Sequence, residues 1–81
     1  MRGDMVTVRD CEGKPLVRRV WEETAEAVYI RSEEEYQKAL SGESALDPVG
    51  FPWSEAFEYS AEWVEKAVEG DWSGLRPKRQ G

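Results

Sequence analysis

The chain has 81 residues, no histidine, one cysteine and four tryptophans, with 17 acidic against 11 basic side chains and a net charge of −6. That length admits one domain with a limited core. The missing histidine and second cysteine remove the usual acid, base, thiol and soft-metal kit, so the composition points away from catalysis and toward binding.

Met5 to Arg9 is rich in β-branched residues, and Asp10 to Pro15 carries the turn residues Gly13 and Pro15. Leu16 to Trp21 and Ala27 to Ile30 follow as further apolar runs. Together they predict a three-stranded antiparallel meander over residues 5–31. A helix over residues 21–28 is the competing reading, because Glu22 to Ala27 are fair helix formers. Alternation places Val6, Val8, Leu16, Val20, Val28 and Ile30 on one face. The other face carries Met5, Thr7, Val17, Trp21, Ala27 and Tyr29, with Arg19 between Val17 and Trp21. Neither face is plainly polar, so the second face is expected to be covered or to act as a contact surface.

Ser32 and Glu35 form an S-x-x-E capping pattern, predicting a short helix over residues 33–41 that ends at Gly42. Residues 43–53 are broken by Pro48, Gly50 and Pro52 and are expected to be a loop. From 55 to 69 the apolar residues Ala56, Phe57, Trp63, Val64, Ala67 and Val68 fall in one arc at helical spacing. This predicts a C-terminal amphipathic helix packed on the sheet, with Val64 and Val68 buried. Phe57 and Tyr59 also alternate like a short strand, which leaves the first turn open. The fold class expected is small α+β: one domain over residues 1–75 and a basic, disordered tail over 76–81.

Two surfaces are candidates for function. Glu55, Glu58, Glu62, Glu65 and Glu69 are spaced by three and four, so one helix would line them along a single ridge edged by Trp63 and Trp72. A solvated helix face is the favoured explanation of such a ridge, because polar outer faces are ordinary. Arg19, Trp21, Tyr29 and Arg31 form the second candidate, an arginine-aromatic sheet face of the kind that stacks bases. Overall acidity disfavours nucleic acid, because phosphate repels it. The function expected is therefore a non-catalytic protein-interaction module, an inhibitor or accessory subunit that offers its acidic, aromatic-edged face to a basic protein. A small nucleic-acid or nucleotide binder is the alternative.

No cofactor, metal or catalytic residue is expected, since no metal-ligand spacing and no glycine-rich phosphate loop is present. Neither a signal-like segment nor a long apolar run occurs, which predicts a cytoplasmic chain with no membrane partner. The Arg2-Gly3-Asp4 tripeptide is short enough to occur by chance. The tryptophan spacing does not fit a WW module.

Overall fold

The computed structural model describes residues 2–79. It is an α+β fold with a five-stranded antiparallel sheet and two helices. The strands are β1 (Met5–Arg9), β2 (Pro15–Glu23), β3 (Ala27–Arg31), β4 (Val49–Pro52) and β5 (Ala56–Glu58). The helices are α1 (Glu33–Leu40) and α2 (Ala61–Val68), and a single 3-10 turn, Trp53–Glu55, joins β4 to β5.

The first three strands form as expected. Asp10 shapes the first hairpin, its Oδ1 accepting from the amides of Glu12 and Lys14, both at 2.8 Å. Gly13 supplies the left-handed residue at φ 80°. Thr24 closes the second hairpin by accepting from the Ala27 amide at 3.0 Å. Between β2 and β3 the register slips at Trp21, so that Val20 faces Ile30 while Glu22 faces Tyr29. This bulge sets Trp21 apart from the simple alternation of its strand.

The meander is extended by two strands that the breakers had hidden. The order is β4-β3-β2-β1-β5. A flat sheet of five strands would hold its edges about 19 Å apart. Yet only three residues separate the two edge strands, and four residue steps reach at most about 14 Å. The sheet must therefore curl until β4 and β5 approach each other. Curling buries one of the two expected faces inside: Val6, Val8, Val20, Val28 and Ile30, joined by Ala56, form the main core, with Leu16, Phe51 and Trp53 packed against it. No residue of α1 or α2 belongs to this cluster.

The outer face is covered in two places. The α1 helix docks through Tyr36, whose ring meets Trp21 edge-on with centroids 5.8 Å apart. Near β5, Phe57, Ala67 and Leu75 form a second core, with Trp63 and Trp72 against it. Thr7, opposite Phe57, is fully buried, and its hydroxyl has no hydrogen-bond partner among the described residues. Valine has the same shape without the unsatisfied group. Thr7→Val should therefore raise stability by about 1 kcal/mol, read as a higher melting temperature. A fall instead would show that the hydroxyl is bonded.

Three expectations require correction. Residues 55–60 are not helical: they hold the end of the 3-10 turn, β5 and the Ser60 cap of α2. Within α2 it is Ala67 that is buried, whereas Val64 is half-buried and Val68 is 68% exposed. At 100° per residue Ala67 lies between Trp63 and Val64 and is covered, whereas Val68 lies beyond Val64 at the margin of the arc and is left in solvent. The expected tail is in part a sheet edge. Glu58 donates to the Arg76 carbonyl and Lys78 donates to the Ala56 carbonyl, each at 2.9 Å. Residues 80–81 of that tail lie outside the described residues.

Candidate functional site

The α1 helix starts where the capping pattern placed it. The Glu35 amide donates to Ser32 Oγ at 3.3 Å. The Glu35 carboxylate does not return to the cap, as a full capping box would require. It accepts instead from the Leu46 amide at 2.9 Å and lies 3.6 Å from Lys38. Arg31 donates to the carbonyl of the same Leu46. Both backbone groups of Leu46 are thus held, and its side chain is kept 73% exposed over a groove.

That groove has a volume of about 270 Å³. Leu16, Ile30, Leu46, Val49 and Phe51 line it, with Arg18, Arg31, Glu35 and Asp47 at its margins. Arg18 pairs across from Val6, so its side chain leaves the inner face of the sheet beside Leu16. The groove was not foreseen, because its walls come from four separate segments. An arginine on an otherwise apolar strand face was the one available signal.

The arginine-aromatic candidate is assembled but occupied. Arg19 bonds Glu33 and donates to the Gly3 carbonyl at 2.9 Å. This pairing with Arg19, aided by Gln37, holds the Glu33 carboxyl below its ordinary pKa. Arg2 and Arg31 stand 4.1 and 4.5 Å from the centre of the Trp21 ring. Tyr29 lies apart from this cluster, its ring against Gly50. A base would have to displace one of these arginines before it could stack on Trp21.

The acidic candidate is divided. Glu55 sits on the 3-10 turn and pairs with Arg9 at 2.6 Å. Glu58 is exposed on β5, Glu62 and Glu65 are exposed on α2, and Glu69 caps that helix. The single helical ridge therefore does not exist as expected. What remains is a shorter face in which Glu62, Glu65 and Glu69 share one narrow arc of the helix and the exposed Val68 lies at its edge, beside Glu65 and Glu69. Among the described residues Glu58, Glu62, Glu65 and Glu69 have no ion-pair partner, in contrast to Glu33, Glu34, Glu35 and Glu55. Lys66, the one base on α2, stands over the Trp63 ring at 4.0 Å. Trp63 and Trp72 serve the second core: Trp63 lies against Gly74, and Trp72 lies 5.2 Å from Phe57.

Among the described residues no group of three histidine, cysteine, aspartate or glutamate side chains is placed to hold a metal, and no helix is long and apolar enough to cross a membrane. Cys11 is exposed in the first hairpin turn. No protein-family model, curated protein or solved structure matches this chain.

Proposed function

We propose that this protein is a non-catalytic interaction module that binds a basic protein through the solvent face of α2. The observation that carries this reading is the uneven use of charge. The basic side chains Arg9, Arg19 and Lys38 are spent on Glu55 and on the carboxylates of α1. The carboxylates of α2 are left unneutralised, with the exposed Val68 along one side of them. An exposed apolar side chain bordered by unpaired charge suits contact with another protein. Charge of one sign also steers a partner of the other sign. A reducing, cytoplasmic setting suits a chain with a single free thiol.

The test is affinity capture from the native host with the intact chain, at low and at high salt. A basic protein should be retained at low salt and released as salt rises, because exposed charges are screened beyond about 8–10 Å. Replacing Glu62, Glu65 and Glu69 together with glutamine should slow association with that protein, measured by surface plasmon resonance, while the melting temperature holds or rises slightly as like-charge repulsion is relieved. Val68→Ser should instead speed dissociation. Unchanged binding by the triple glutamine variant at low salt would remove the α2 face as the interface.

A further inference from the structure

The two edges of the curled sheet are treated differently. The outer edge of β5 is occupied by residues 76–78 of the same chain, through Glu58, Ala56 and an isolated bridge between Phe57 and Pro77. The outer edge of β4 has no such cover. Its strand pairs with β3 alone, and among the described residues no backbone group bonds to its other side. Val49 is 57% exposed there, and Gly50 and Pro52 are exposed as well. Such an edge is a ready template for another strand. Val49 and Phe51 of this same strand form one wall of the groove beneath Leu46.

We infer that this edge and groove bind an extended segment of a partner protein. The segment adds to β4 as a strand, places one apolar side chain in the groove and turns a carboxylate, two residues away on the same face, toward Arg18. Main-chain bonds supply affinity in this mode, and pockets for alternate side chains supply selectivity. At about 270 Å³ the groove is smaller than a drug-sized site and suits a single side chain.

The charges select the occupant. Among the described residues Arg18 makes no ion pair, and its one hydrogen bond goes to the neighbouring Val17 carbonyl at 2.8 Å. Arg31 is committed to Leu46 and Trp21, and Glu35 to Leu46 and Lys38. Arg31 keeps a buried Nε without a hydrogen-bond partner among the described residues, but its terminal nitrogen is held by Leu46, so the cation free to turn toward a ligand is Arg18, which calls for an anion. Asp47 at the rim sets a limit, because it repels a segment that is acidic throughout. One carboxylate beside one apolar residue meets both conditions. This surface is separate from the α2 face and draws the opposite charge, so the two readings fail independently.

The probe is the capped pentapeptide Thr-Leu-Thr-Glu-Thr, titrated into the ¹⁵N-labelled full chain. Saturable amide shifts should appear at Leu46, Val49, Gly50 and Phe51. Affinity should fall about tenfold or more for Thr-Leu-Thr-Lys-Thr and for the Arg18→Gln variant, as expected when a charge-assisted bond is lost. Two N-methylated peptides, blocked at Leu and Glu or at the threonines, should separate, one losing binding and the other keeping it. The triple glutamine variant of α2 should bind the peptide unchanged. No saturable shift at millimolar peptide would overturn the proposal. So would equal affinity for the Arg18→Gln variant, or indifference to both N-methylations. Shifts at the same amides on concentrating the chain alone would assign the edge to a second copy of this protein instead.

Discussion

Replacing Val20 with aspartate should unfold the domain. Val20 is fully buried in the inner core, faces Ile30 across the sheet and lies on β2, flanked by β1 and β3. The residues clustered with Val20 in that core are all apolar, so a carboxylate placed there has no partner within the cluster. An unpaired buried charge costs about 4–5 kcal/mol or more. An 81-residue domain is stable by only about 4–12 kcal/mol in all. The expected result is a circular-dichroism spectrum without a cooperative thermal transition. Val20→Ala provides the calibration. It removes two methyl groups without adding charge and should cost about 2 kcal/mol, lowering the melting temperature by roughly 8–16 °C. A folded Val20→Asp variant with a near-native transition would mean that the sheet does not close over this residue.

The second large effect is expected at Gly74. A β-carbon built there would lie 1.9 Å from the Trp63 ring, well inside van der Waals contact. The backbone at Gly74 is not in the left-handed region, so glycine is required for space and not for conformation. Gly74→Ala must push the indole away from the second core, where it packs with Phe57, Ala67 and Leu75. Overpacking of this kind costs about 1–3 kcal/mol. Because the cause is one contact, it should be relieved by shortening the ring. Gly74→Ala combined with Trp63→Leu should lose less than the two single variants together, with a coupling of about 1 kcal/mol or more in a denaturation cycle. Strict additivity would show that Gly74 matters for some reason other than Trp63.

The parts of the fold that were legible in the sequence are those where one local rule dominates. Strand alternation grouped the residues of the inner face, because Val6, Val8, Val20, Val28 and Ile30 are all β-branched and all on one side, although the apolar character of the other face left open which of the two is buried deepest. Ser32 and Gly42 marked the ends of α1, since a cap hydroxyl and a left-handed glycine act through nearest neighbours. The edge strands were hidden for the opposite reason. Pro48, Gly50 and Pro52 look like breakers, yet an edge strand needs its amides on one side only, so Pro52 is tolerated at the end of β4. Ala56–Glu58 is too short to separate a period of two from one of 3.6.

The basic tail misled similarly. Arg76, Pro77 and Lys78 suggest disorder by side-chain chemistry, but the bonds to β5 use the carbonyl of residue 76 and the amide of residue 78. Proline at 77 is asked for no donor. For the candidate sites, charge spacing along the chain found the glutamates but not their partners. Arg9 reaches Glu55 across 46 residues, and that pairing is what removes Glu55 from the acidic face.

The pairing of residues 76–78 with β5 has a consequence for trimming of the chain. Loss of those residues would remove the Arg76 carbonyl and the Lys78 amide from the outer edge of β5. The remaining sheet would then carry two open strand edges among the described residues where the intact one carries a single open edge at β4. Open edges are templates for pairing between copies, so a clipped form should exchange strands and aggregate more readily than the intact chain.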